Sequence, residues 1–257
     1  MSVQLEVNED SSRPSAEDIE EVAVYADGAC LGNGHSFARA GIGVYFGSED
    51  PKNISLPLLL GPHTNQRAEL ASLLVALLQF EAADDAAAAA AAASAAAAAA
   101  AVRSSTEKKQ KEVKLVVYSD SEYAIKCVGL WSKRWRLNGW ASAAGKPAKN
   151  TDLVHAVLLL CERRRQGAPP GARWRGAVSF IHVKGHSGVD GNEAADRLAV
   201  AAAAGSAAAS PASVAAAAAA AAVGHTAEDA ENADLWGALK TRRPHSTSYS
   251  AAAGPKP

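Results

Sequence analysis

The sequence predicts an α/β protein built on one mixed five-stranded sheet: three antiparallel strands, then strand–helix alternation, with helices flanking the sheet. Three observations predict it. Residues 22–60 hold three short apolar runs joined by brief links, a long stretch of helical periodicity follows, and two further apolar runs are then separated by helix-like segments. Short links favour an antiparallel meander, whereas strands alternating with helices favour parallel pairing.

Taken in order, residues 22–30 (VAVYADGAC) read as a buried strand that stops in a turn at Asp27-Gly28. Residues 40–46 (AGIGVYF) give the second strand and residues 53–60 (NISLPLLL) the third, with Pro57 arguing for an edge position. A helix opens at Thr64 or Asn65, either of which can cap it, and repeats Leu70, Leu73, Leu74, Leu77 and Leu78 on one face. Residues 113–118 form a fourth strand running into Ser119-Asp120-Ser121, short polar residues suited to capping a helix over 123–128. Helical pieces follow near 131–137 and 151–165, the latter through Leu153, Val157, Leu160 and Cys161. Residues 177–183 are the fifth strand, and Asp190-Gly-Asn-Glu193 has the form of a capping box for a last helix through Asp196 and Leu198.

Composition bounds the rest. The chain has 257 residues, 48% hydrophobic but only 5% aromatic, because alanine inflates the apolar count. Two tracts, at 86–101 and 201–223, are nearly pure alanine and bury little per residue, so they read as low complexity, helical or disordered. The expected organisation is an acidic N-terminal tail over 1–20, a folded domain over 21–204 with an Ala-rich insertion at about 86–110, and an Ala-rich disordered tail over 205–257. Cys30, Cys127 and Cys161 show neither zinc-site spacing nor an even disulfide count, which suits a reducing compartment. The first 21 residues carry seven acids against one Arg, the reverse of a transit peptide, and poly-Ala is too weakly apolar to insist on a membrane span. The expectation is an intracellular protein of nucleus or cytoplasm, an organelle left open, with no membrane partner; Lys240-Thr-Arg-Arg-Pro reads as a short solvated basic cluster. Net charge is −1, yet residues 126–184 hold twelve Lys and Arg against Asp152 and Glu162, a local +10 of the kind a phosphate-binding face shows.

Four carboxylates fall where a mixed sheet gathers them. Asp27 lies in or just past the first strand, Glu69 in the first turns of the following helix, Asp120 at the carboxyl end of the fourth strand, and Asp196 on the last helix. Strand carboxyl ends and helix starts face the crevice of an open α/β sheet. Carboxylate oxygens are hard ligands suited to Mg²⁺, and clustered like charges are costly without a cation. Singly, each acid also reads as a surface cap or an ion pair.

The segments Tyr25-Ala-Asp27-Gly-Ala, Thr64-Asn-Gln-Arg-Ala-Glu69-Leu, Tyr118-Ser-Asp120-Ser and Val183-Lys-Gly-His186-Ser-Gly…Gly191-Asn-Glu-Ala-Ala-Asp196, in that order, closely resemble the ribonuclease H type 1 family over roughly residues 22–200. The resemblance implies an RNase H-like fold and an endonuclease that hydrolyses the RNA strand of RNA–DNA hybrids. It implies that Asp27, Glu69, Asp120 and Asp196 hold two Mg²⁺ ions, with Mn²⁺ a possible substitute, about 4 Å apart. His186, in a glycine-flanked loop, matches the family's loop histidine, suited to proton shuttling or product departure, though a structural role is the common one for a lone histidine. Asn33, Asn65 and Gln66 match residues that sense the RNA 2′-hydroxyl, amides that both donate and accept; Asn65 also suits a helix cap. Thr64 and Asn150 match a phosphate pocket. Residues 131–140 (WSKRWRLNGW) resemble the family's basic protrusion, which implies Trp131 and Trp135 along the DNA strand, on one helix face four residues apart; a Trp pair buried in the core is the alternative.

Two departures stand out. Where the family carries its pocket arginine this sequence has Pro62 with His63 adjacent, and residues 1–21 are not expected to form the small basic hybrid-binding domain of many eukaryotic members. A monomer is expected. The competing readings are another nuclease of the same superfold, of transposase, integrase or exonuclease type, or an inactive hybrid-binding module; the latter predicts loss of at least one acid, and none is lost.

Overall fold

The computed structural model describes residues 19–59, 61–99, 112–166 and 178–206. The expected acidic tail and most of the C-terminal tail, including most of its alanine tract, lie outside these residues, as does the stretch 100–111 of the Ala-rich insertion.

Five strands form one sheet: β1 (Ile19–Leu31), β2 (Arg39–Tyr45), β3 (Ile54–Pro57), β4 (Glu112–Ser119) and β5 (Val178–His182). Their order is β3-β2-β1-β4-β5, antiparallel across the first three and parallel from β1 to β4 to β5. This is the mixed sheet the sequence predicts, with Pro57 on the edge strand. The helices are α1 (Asn65–Ala99), α2 (Glu122–Lys126), α3 (Ser132–Leu137), α4 (Thr151–Gln166) and α5 (Asp190–Ala203), with a π-helical turn at Cys127–Trp131 joining α2 to α3. None of the described helices is long and apolar enough to cross a membrane.

Two local expectations are corrected. β1 does not end at Asp27-Gly28 but continues to Leu31, because Asp27 pairs with Gly43 and Gly28 with Ile42 in the β2 ladder. The turn comes later, where Gly32 and Gly34 adopt the left-handed backbone (φ 65 and 87) that glycine tolerates. Asp190-Gly-Asn-Glu193 is not a capping box: Val189 is the N-cap of α5, and the Glu193 carboxylate instead accepts from the Gly188 N–H at 3.1 Å. Both acids still lie in the first turn, where the helix dipole favours them. The alanine run after residue 85 is helical as far as Ala99, as a continuation of α1.

The core explains how so few aromatics suffice. On one face α1 buries Leu70, Leu73, Leu74 and Leu77 between the sheet and Val154, Val157 and Leu160 of α4. On the other face α5 lies almost on the strands: a Cβ on Gly43 would stand 2.0 Å from the Ala195 carbonyl oxygen, and one on Gly41 2.2 Å from that of Ala199. Glycine in the strand and alanine in the helix let the two backbones meet, so close-packed contact replaces side-chain bulk.

Candidate active site

The parallel register sets the centre of the site. Tyr25 of β1 pairs with Tyr118 of β4, and their rings stack at 5.0 Å. Asp27 and Asp120 each come two residues later, so neighbouring strands deliver two carboxylates level with one another at the carboxyl end of the sheet. α1 brings the third: a Cβ on Gly28 would touch the Ala68 carbonyl carbon and the Glu69 nitrogen at 2.2 Å, so the first turns of α1 press against β1 beside Asp27. Asp196 comes from α5, which packs across β1 and β2.

The electrostatics report the convergence. Burial pushes the Asp27 carboxyl up to about 7, the Asp120 charge adds to this, the Gly28 N–H opposes it at 2.7 Å, and Asp196 and Glu69 raise it further. Burial likewise raises Glu69, with Asp120 adding and donors from Ser121 and Asn65 opposing. Glu69 and Asp120 each keep a side-chain donor: Asn65 Nδ2 donates to Glu69 Oε1 at 2.7 Å, and Asn192 Nδ2 to Asp120 Oδ2 at 2.9 Å. Among the described residues no three His, Cys, Asp or Glu side chains stand in a ready-made metal cage. The donor set nevertheless fits a hard divalent cation: all four groups are carboxylates, one is held near neutrality by burial and like charge, and a cation would relieve both costs.

The structure also brings together residues outside the acids. Asn33 Oδ1 accepts from the Asn65 backbone N–H at 3.2 Å, which ties the β1–β2 loop to the start of α1, and Gln66 is exposed beside them. Thr64 caps α1, its hydroxyl accepting from the Arg67 N–H, which leaves the Asn65 side chain for Glu69. His186 is exposed on the loop after β5 with φ 49, and that loop is braced by Ser187 Oγ on the Lys184 carbonyl and by Glu193 on Gly188.

Tyr123, Trp131, Trp135, Trp140 and His155 form a continuous aromatic chain with successive ring centres 3.9–6.1 Å apart. Trp135 is 8% exposed and packs in the core, while Trp131 stays partly exposed. Of the two, only Trp131 offers substantial surface to a ligand.

Several residues escaped the sequence reading. Asn192, 2% exposed, holds Asp120; the Gly-Asn-Glu triplet flagged the position but not the role. His182 Nε2 lies 3.1 Å from the Asp120 backbone oxygen. Arg67 reaches Asn150 Oδ1 at 3.4 Å and clamps both oxygens of Asp152 at 3.1 and 2.5 Å, so a guanidinium does stand beside Asn150 although Pro62 offers none. Its partner Asp152 ends below the usual carboxylate range, burial raising it and the Arg67 contacts lowering it by more. His63 is structural: its Nδ1 accepts from the Ala40 N–H.

The family model of RNase H matches residues 19–88 and 91–204. The chain is 37% identical over 178 residues to a protein of Homo sapiens named ribonuclease H1, covering 69% of this chain and 48% of that one. It is 34% identical over 180 residues to ribonuclease H1 of Mus musculus, covering 70% and 49%. To the ribonuclease H of Desulforamulus reducens it is 32% identical over 186 residues, covering 72% and 89%. The chain thus spans about half the length of the mammalian relatives and most of the bacterial one.

Proposed function

The chain belongs to the RNase H family, and we propose that it is an endonuclease that hydrolyses the RNA strand of RNA–DNA hybrids with two divalent cations, Mg²⁺ in the first place and Mn²⁺ as a substitute. The observation that carries this reading is the convergence of Asp27, Glu69, Asp120 and Asp196 from two adjacent parallel strands and from helices on opposite faces of the sheet. The names of the relatives support the substrate class.

Asp27, Glu69, Asp120 and Asp196 would hold the ions, which when bound supply activation of the attacking water and neutralisation of the leaving oxygen. The chain's own residues do the remainder. Asn65 and Asn192 aim the Glu69 and Asp120 oxygens by single hydrogen bonds, so those carboxylates are held before substrate arrives. Asn33, Asn65 and Gln66 cluster at the start of α1, where their amides suit a 2′-hydroxyl that both donates and accepts. Thr64, Asn150 and Trp131 lie along the DNA strand in this reading. His186, exposed on its braced loop, moves a proton to or from the departing product.

The test uses the full chain and a labelled hybrid beside duplex RNA and duplex DNA of the same sequence. Cleavage confined to the RNA strand of the hybrid, dependent on Mg²⁺ and abolished in Asp120→Asn, is the expected result. Comparable cutting of duplex DNA, or no cutting in either Mg²⁺ or Mn²⁺, overturns it.

A further inference from the structure

The loop joining β1 to β2 carries an exposed surface that the four acids do not explain. Phe37 is 69% exposed, a large cost for an aromatic ring left in water. Its ring is nevertheless held in place. The His35 ring stacks on it at 5.0 Å with planes 11° apart, and its edge packs over Gly32, where a Cβ would stand 2.6 Å from Phe37 Cε2. The turn beneath is fixed by the His35 N–H on the Gly32 carbonyl at 3.0 Å and the Ala38 N–H on the His35 carbonyl at 3.1 Å. A ring that is braced and exposed is prepared for a partner.

The neighbours say which. Leu31 is 43% exposed, Asn33 and Arg39 are exposed as well, and Leu31 pairs with Arg39 across the hairpin. Residues 28–48 contain Arg39 and His35 and no acid. Aromatic face, amide and cation without a carboxylate is the chemistry of a nucleic-acid strand, where rings meet bases or sugars and cations meet phosphates. The surface is continuous with the site: Asn33 accepts from Asn65, and Asn65 donates to Glu69.

We propose that the stacked pair Phe37 and His35 is a second contact for the nucleic-acid strand that Asn33 meets, the ring face of Phe37 packing on a sugar or base of the RNA strand beyond the cleaved phosphate, with Arg39 toward its backbone. This rests on the hybrid-cleaving reading above for the identity of the strand.

Two readouts on the full chain separate the two ideas. Binding of a fluorescently labelled hybrid is measured by anisotropy in EDTA, where nothing is cut, and cleavage is measured in Mg²⁺. Phe37→Ala should raise Kd and KM about 5- to 20-fold with kcat within two-fold of wild type, Phe37→Trp should restore both, and His35→Ala should cost roughly 2- to 4-fold. Thermal melting should stay unchanged in all three. Wild-type affinity in Phe37→Ala overturns the contact, whether or not the enzyme cleaves. A lowered melting temperature with kcat falling alongside KM also overturns it, since the ring then serves packing. If the wild type binds hybrid and Phe37→Ala weakens it but no cleavage is seen, the contact stands and the cleavage reading falls.

Discussion

Gly185 lies against Asp120 so closely that a Cβ on it would stand 2.6 Å from Asp120 Oδ2. The loop that carries His186 therefore touches the carboxylate at the end of β4 through backbone alone, and the same Oδ2 accepts from Asn192. Loop, strand and α5 meet at one oxygen.

Gly185→Ala tests that contact. The position needs no left-handed backbone, so alanine is conformationally acceptable and the penalty falls on the carboxylate it would displace. Hybrid cleavage in Mg²⁺ should fall by about ten-fold or more, since a misplacement of about 1 Å can cost that much or more, while the melting temperature changes little. A rate within two-fold of wild type would mean that the loop yields and Asp120 does not move.

Asn192→Ala removes the donor on Asp120 from a site 2% exposed. The expected cost in urea unfolding is about 1.5–3 kcal/mol, the range for a hydrogen bond to a charged group, together with weaker Mg²⁺ affinity by titration. Unchanged stability and unchanged Mg²⁺ affinity would show that Asp120 is held without it.

The raised Asp27 gives a pH signature in the metal-free protein. Between an ordinary value of 3.8 and its folded value of about 7, the folded chain keeps a proton that the unfolded chain releases. That stabilisation is complete below pH 3.8, declines as pH rises, and is gone above 7, a change on the order of 4 kcal/mol. Glu69 acts in the same direction. Melting in EDTA should fall across this window, the decline should be shallower in Asp27→Asn, and added Mg²⁺ should stabilise most above pH 7, where the carboxylate is free to bind it. Identical pH dependence in wild type and Asp27→Asn would remove Asp27 as the cause.

The alanine segment should be dispensable. From Glu69 to Ala99, α1 rises about 45 Å, which carries its end far from the acids, and β4 starts at Glu112, opposite the Ile19 end of β1 and away from Asp27. Replacing residues 86–110 with a short Gly/Ser linker should leave hybrid cleavage within a few-fold, because loop length changes closure entropy slowly. A folded variant that loses more than about 90% of its activity would contradict this geometry.

The sequence by itself determined the order of elements and where along them Asp27, Glu69, Asp120 and Asp196 fall. Period-two and helical apolar patterns are local properties, and β2, β3, β4, α4, β5 and the start of α1 fall within a few residues of where those patterns put them. What only the tertiary structure decided are the contacts between distant segments. Asp27-Gly28 looks like a turn in isolation and becomes strand because β2 supplies hydrogen bonds on one side and β4 pairs just before it. Trp135, expected along the DNA strand, is instead core, because Trp131 and Trp140 pack around it. Asn192 meets Asp120 from 72 residues away, and Arg67 meets Asp152 from 85. No local pattern encodes such a pair, because its geometry depends on the strand register and on how closely glycine and alanine let α5 approach the sheet.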